Sequence, residues 1–204
     1  MKKTFLFSIA ITGLIFLSSM AFKTQAYEVG AVAADFKLKN IDGSMFALSE
    51  KKDIKGAIVI FTCNHCPFAK AYEDRIISLD KKYASLGYPV IAINPNDSVA
   101  YPEDSYSAMI KRAKDKKFTF PYLLDDSQET AKTYGATKTP HVYLLHKEND
   151  QMVVKYIGAI DDNSDNAKKV KEKYLENALT EVIAGKEVTV KSTKAIGCGI
   201  KWKK

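Results

Sequence analysis

The chain has 204 residues, 46% of them hydrophobic and 27% charged, with 31 Lys and Arg against 24 Asp and Glu. That apolar content excludes a disordered chain and suffices for one domain with a real core. The charge is scattered apart from short lysine clusters near 111–117 and 168–173, which read as solvated helix faces, so a basic groove for nucleic acid is not expected.

Residues 1–26 read as a secretory signal peptide. Lys2 and Lys3 precede the apolar stretch from Phe5 to Phe22, and small residues lead to a cut after Ala26. The rival is an uncleaved anchor, because the run approaches the roughly 18 to 20 apolar residues that span a bilayer. Thr4, Ser8, Thr12, Ser18 and Ser19 dilute it and favour cleavage, and no cysteine near the cut supports a lipid-modified terminus. Residues 27–204 keep 28 basic and 24 acidic residues, a net +4. An exported protein, periplasmic or secreted, works where disulfides persist. The membrane enters only through the leader, if it stays uncleaved.

In chain order, Phe36-x-Leu38, a turn at Asp42-Gly43 and Phe46-x-Leu48 predict a small hairpin. The run Gly56 to Phe61 is a buried strand. Cys63 and Cys66 follow it, and a helix from about Pro67 places Tyr72, Ile76, Leu79 and Tyr83 on one face, with Gly87 as its stop. Val90 to Ile93 is a second buried strand, ended by Asn94-Pro95-Asn96-Asp97. A helix over about 103–116 aligns Tyr106, Met109, Ile110 and Ala113, Tyr122 to Leu124 is a short strand, and a short helix capped by Ser127 runs to Gly135. Val142 to Leu145 and Val153 to Ile157 form an antiparallel hairpin across Lys147 to Asp150. The last helix carries Val170, Tyr174, Leu175, Ala178, Leu179, Val182 and Ile183 and stops at Gly185, with Asp161 and Asp162 capping its approach. No internal repeat or long linker interrupts this order. It predicts an α/β thioredoxin fold: a central mixed sheet flanked by helices, with an N-terminal β-hairpin extension. Residues 27–185 form the domain, and 186–204 form a tail packing on or near it.

A Cys-x-x-Cys pair at a strand-to-helix junction points to redox chemistry, because N–H groups at a helix start stabilise a thiolate. Cys63, on the exposed side of the helix start, is expected to attack a substrate disulfide, and Cys66, one turn on, to resolve the mixed disulfide. The residues leave two alternatives open. One is an inert structural disulfide. The other is a metal site, either a zinc half-site without the second Cys-x-x-Cys or His pair that closure needs, or a Cu(I) module using Cys63, Cys66 and His65 or His141. The pattern calls for no cofactor and assigns no metal. His65, as a cation or donor, would favour the Cys63 thiolate and make the disulfide more oxidising. Arg75 reads as a surface ion-pair partner. Cys198, flanked by Gly197 and Gly199, is a candidate third redox residue, an intermolecular bridge or a buried inert thiol.

Phe61-Thr62-Cys63-Asn64-His65-Cys66-Pro67-Phe68, Thr139-Pro140 before a strand, and Gly158-Ala159-Ile160-Asp161-Asp162 resemble a thioredoxin-like protein of the redoxin superfamily. That superfamily includes the alkyl hydroperoxide reductase and thiol-specific antioxidant proteins. The opening Phe36-x-Leu38-x-Asn40-x-Asp42-Gly43 is similar to the start of that group, and Gly197 to Trp202 resembles the end of a peroxiredoxin-like branch. The resemblance implies a thiol-disulfide oxidoreductase acting on disulfide-containing proteins and recharged by a thiol reductant, or an antioxidant peroxidase. It implies a cis Thr139-Pro140 bond forming the substrate edge beside the cysteines; His141, next to it, is read either as facing and tuning them or as an ordinary polar residue at a strand start. Two departures stand out. Thr62 replaces the usual Trp and Asn64-His65 the usual Gly-Pro of thioredoxins. In the peroxiredoxin pattern Pro-x-x-x-Thr-x-x-Cys ending at Cys66, Val59 and Cys63 take the Pro and Thr places, so the hydroxyl that helps hold peroxide is missing.

Overall fold

The computed structural model describes residues 27–204, so the signal segment, residues 1–26, lies outside the described residues. In chain order the elements are β1 (Lys37–Asn40), β2 (Met45–Ala47), β3 (Gly56–Phe61), α1 (Pro67–Tyr83), β4 (Val90–Asn94), α2 (Tyr106–Lys116), β5 (Tyr122–Leu124), α3 (Glu129–Tyr134), β6 (Lys138–Thr139), β7 (His141–Glu148), β8 (Gln151–Gly158), α4 (Tyr174–Ile183) and β9 (Cys198–Gly199). The main sheet has the order β2-β1-β5-β4-β3-β7-β8, and β6 with β9 forms a separate ribbon.

The spine is β3, all of it buried. Its side chains alternate between two cores as strand geometry requires: Ile58 and Ile60 enter one, Ala57, Val59 and Phe61 the other. The first core takes the apolar stripes of α1 (Tyr72, Ile76, Leu79) and α4 (Leu175, Ala178, Leu179), and the second takes Ala131 and Tyr134 of α3. Parallel pairing of β3 with β4 and β4 with β5 makes two strand-helix-strand units, while β7 and β8 return antiparallel. The expected opening hairpin is present and joins the sheet by pairing β1 antiparallel with β5. This is the thioredoxin fold with its N-terminal hairpin. Among the described residues, no helix is long and apolar enough to cross a membrane.

Several boundaries differ from the sequence expectation for identifiable reasons. The segment over 103–116 is two pieces: a 3-10 turn at Pro102–Asp104, then α2, capped by Ser105 Oγ accepting from Ala108 N at 3.3 Å. Ser127 is not the residue directly before α3, although its Oγ accepts from Glu129 N at 3.3 Å. That place belongs to Gln128 at φ 64°, and the Asp125 carboxylate accepts from Ala131 N at 2.8 Å. The last helix begins at Tyr174, leaving Val170 outside it.

Arg75 is not a surface residue, and Asp161 does not cap the last helix: its Oδ1 accepts from Asn163 N (3.0 Å) and its carboxylate pairs with Arg75. The Arg75 side chain is 15% exposed, with Nη1 donating to both Asp161 oxygens (2.9 and 2.7 Å) and to the Asn163 carbonyl (2.6 Å), and Nη2 donating to the Ser164 carbonyl (2.8 Å). Tyr72 donates its hydroxyl to Asp161 at 2.9 Å. A buried carboxylate needs this company, and the clamp ties α1 to the segment after β8.

The residues after α4 fold back over the domain. Thr193 N donates to the Ile157 carbonyl (3.0 Å), Thr193 Oγ1 accepts from Ala159 N (3.0 Å), and Val188 and Ile200 are buried. Arg75→Ala is expected to lower the unfolding free energy by about 3 kcal/mol, because Asp161 is left as a buried charge without its partner. Denaturant unfolding reads this, and an unchanged midpoint contradicts the clamp.

Candidate active site

The end of β3 and the start of α1 deliver the two neighbouring cysteines. Thr62 N donates to the Ile93 carbonyl (2.8 Å), extending the ladder one residue past the strand, and the chain then turns so that Cys66 precedes the first helical residue, Pro67. Pro at that position loses no helix hydrogen bond. Three sulfurs meet here: Cys63 and Cys66 are buried together with Ala69, and Cys198 packs against them from the tail.

Thr139 holds them. The Thr139–Pro140 bond is cis, in agreement with the expectation from the resemblance. Thr139 is fully buried, its Oγ1 lies 3.3 Å from Cys63 Sγ, and its carbonyl oxygen lies 3.3 Å from Cys66 Sγ. In the ribbon, Thr139 pairs directly with Cys198. Gly197 makes this approach feasible, since a Cβ there would stand 2.2 Å from the Thr139 carbonyl oxygen.

The covalent pairing differs from the sequence expectation. Cys66 is bonded to Cys198, with Cα atoms 6.1 Å apart across 132 residues of sequence, and Cys63 is a free thiol. In this oxidised state Cys66 carries no hydrogen, so its contact with the Thr139 carbonyl becomes a donated S–H bond only when the link to Cys198 opens.

Cys63 is also not exposed as expected. Only 4% of it reaches solvent. Burial pushes its pKa above the ordinary thiol value, and the Asp104 carboxylate adds to the rise. The Thr139 hydroxyl and the N–H groups of Cys66 and His65 pull the other way. The helix-start donors are therefore real, but desolvation outweighs them.

His65 is engaged by partners other than Cys63. Its Nδ1 lies 2.5 Å from Asp104 Oδ2, and its ring stacks on Tyr101. Asp104, fully buried, is the residue the sequence reading missed. It also accepts from Asn64 N (2.7 Å) and Asn96 Nδ2 (2.7 Å), while Asn64 Nδ2 donates to the Glu103 carbonyl (2.8 Å) and Tyr122 donates to Asn64 Oδ1 (3.0 Å). This polar web holds the loop between the two neighbouring cysteines. The signal available was a run of Asn and Asp in segments otherwise legible only as a strand end and a helix start.

The ligand atoms of Cys63, His65 and Asp104 lie within 4.8 Å of one another, the set among the described residues that offers metal-ligand spacing. Both Asp104 oxygens are already engaged by hydrogen-bond donors, and the Cys66 of the expected Cu(I) set is in a disulfide, so the geometry reads better as a hydrogen-bonded cluster. His141 is held by other partners: its Nδ1 accepts from Thr137 N (3.3 Å) and its ring packs on Tyr143. Burial lowers its pKa to about 4, keeping it neutral.

The AhpC/TSA family model matches residues 29–161. An uncharacterized conserved protein from Geobacillus kaustophilus is 36% identical, with a TM-score of 0.80 over 86% of this chain and 93% of that one. A hypothetical protein from Sinorhizobium meliloti 1021 is also 36% identical, with a TM-score of 0.79 over 88% and 97%. The peroxidoxin BcpB from Mycobacterium tuberculosis, at 16% identity and a TM-score of 0.56 over 76% and 94%, shares the fold. Among curated proteins, none matches the chain.

Two measurements check the electrostatics. In the oxidised protein, the rate of Cys63 alkylation by iodoacetamide is expected to rise with a midpoint above the ordinary thiol pKa, and Asp104→Asn is expected to shift that midpoint down, since it removes a negative charge. A midpoint at or below the ordinary value contradicts the reading. His141, with a folded pKa of about 4 against an ordinary 6.5, binds its proton more readily when unfolded. Stability is therefore lost as pH falls from about 6.5 through about 4, by up to about 3 kcal/mol, and His141→Phe should flatten that slope in urea unfolding.

Proposed function

The chain belongs to the AhpC/TSA family, and from there we propose that it is an exported thiol-disulfide oxidoreductase that reduces or exchanges disulfides in other proteins. The observation that carries this reading is the meeting of three sulfurs on one residue, Thr139, whose hydroxyl contacts Cys63, whose carbonyl contacts Cys66 and whose strand partner is Cys198. Sulfurs so gathered exchange by attack of one thiolate on a bond between two others, with no cofactor. Cys66 is the central sulfur, Cys63 and Cys198 its alternative partners. Thr139 and Pro140 border the reacting atoms and hold the disulfide being exchanged. His65, through Asp104, sets the polarity beside Cys63.

The partners in this reading are disulfide-containing proteins and a thiol reductant that recharges the site. Export rests on the leader from Lys2 to Ala26. One observation favours a second reading, an antioxidant peroxidase: Thr139 Oγ1, 3.3 Å from Cys63 Sγ, supplies a hydroxyl that the local pattern around Cys66 lacks. In that reading Cys63 passes through a sulfenic acid, which a neighbouring thiol condenses.

With dithiothreitol as donor, the wild-type protein is expected to accelerate the reduction of insulin disulfides, and Cys66→Ala to bring the rate to background. Rapid hydroperoxide consumption with little insulin reduction supports the peroxidase reading instead, and neither activity contradicts both.

A further inference from the structure

Resting on the oxidoreductase reading above, we propose that Cys198, not Cys63, is the sulfur through which this protein exchanges with its surroundings. Of the three sulfur-bearing residues, Cys66 is wholly buried, Cys63 nearly so, and Cys198 is partly exposed. Cys198 sits on β9, one strand of a two-stranded ribbon, between two glycines. Gly199 is exposed, and a Cβ there would meet nothing within 4 Å, so the approach along the tail is open. Thiol exchange follows access as well as thiolate content, and in access buried Cys63 is the poorer contact with a visitor.

The tail is built to keep Cys198 in place after its bond is broken. On one side Thr193 is held by the Ile157 carbonyl and Ala159 N. On the other, Ile200 N donates to the Thr137 carbonyl (3.2 Å), Lys201 N to Asn96 Oδ1 (2.9 Å), and Asp97 N and Gln128 Nε2 to the Lys201 carbonyl (2.9 and 2.8 Å). Asn96 and Gln128 are buried, so these anchors are shielded from water. A cysteine tethered at both ends stays at high effective concentration beside Cys66 and closes the cycle intramolecularly.

The chemistry balances with a thiol as the donor. A donor thiolate attacks Cys198 Sγ, forming a donor–Cys198 disulfide and breaking the Cys66–Cys198 bond. The electron pair leaves on Cys66 Sγ, which takes up the proton that the donor thiol released and keeps it in an S–H hydrogen bond to the Thr139 carbonyl. A second donor thiolate attacks the donor sulfur, releasing the donor disulfide and leaving Cys198 as a thiolate. Toward a substrate disulfide, the Cys198 thiolate attacks one sulfur and expels the other as a thiolate. Cys66 gives its proton to the expelled substrate thiolate and attacks Cys198 Sγ, restoring Cys66–Cys198 and releasing the second substrate thiolate. Two donor thiols are oxidised for each substrate disulfide reduced.

The test uses the reduced full chain and a cysteine peptide activated as its 2-thiopyridyl disulfide, with adducts located by peptide mass mapping. In Cys66→Ala the peptide is expected to accumulate on Cys198 at least about tenfold over Cys63, reflecting the difference in access. Equal or preferential adduct at Cys63 overturns the proposal. Cys198→Ser is expected to lower insulin reduction at least about tenfold, and a wild-type rate in that variant overturns it too. Should Cys66→Ala fold poorly, substoichiometric N-ethylmaleimide on the reduced wild-type protein decides: Cys198 labelled first supports the assignment, Cys63 labelled first rejects it. Wild-type protein without any disulfide exchange sinks the underlying oxidoreductase reading, whereas exchange that persists through Cys63 sinks this inference alone.

Discussion

One buried residue organises the sulfur chemistry. Thr139 offers a hydroxyl to Cys63, a carbonyl to Cys66 and a backbone ladder to Cys198, so three parts of the chain converge on it: the β3–α1 junction, the segment entering β7, and the C-terminal tail. A thiolate in so dry a place is costly to form. The protein offsets that cost only partly, with helix-start N–H groups and the Thr139 hydroxyl, while Asp104 works against it. The result is a Cys63 thiol that is harder to ionise than an ordinary one.

The surroundings divide into two supports. Around the loop between the two neighbouring cysteines, Asp104 gathers donors from Asn64, His65 and Asn96, so that residues 64–65 are held by polar contacts rather than by helix geometry. The same Asn96 reaches the tail through Lys201 N, which joins the polar web to the segment carrying Cys198. Asn96 is thus a shared hydrogen-bond partner of the tail and of the web that holds residues 64–65. The family assignment agrees with this sulfur-centred chemistry, and the departures from the thioredoxin pattern at Thr62, Asn64 and His65 acquire a physical content: Asn64 and His65 are the residues that engage Asp104.

Much of the architecture was legible because it is local. The buried run of β3, the four-three-four spacing on α1 and the polar turn between β7 and β8 each announce themselves within a dozen residues, and the alternation of strands and helices orders the sheet. The neighbourhood of Cys63, Cys66 and Thr139 was legible through the motif and its resemblance. What escaped depends on distant partners. The bond between Cys66 and Cys198 spans 132 residues, and a cysteine count cannot choose among three pairings. Arg75 looks like any helix-surface arginine until the chain after β8 brings Asp161 over it. Burial of Asp104 is equally a tertiary fact: its neighbours in sequence read as the first turn of an exposed helix. The exposure expected of Cys63 failed for the same reason, since the tail that helps cover it lies at the far end of the sequence.

The most direct measurement is the disulfide connectivity of the air-oxidised protein, read by alkylating under denaturing conditions without reductant and mapping peptides by mass. The expected result is a peptide pair joining Cys66 to Cys198, with Cys63 carrying the alkyl group. A dominant Cys63–Cys66 link, or three alkylated cysteines, would contradict it.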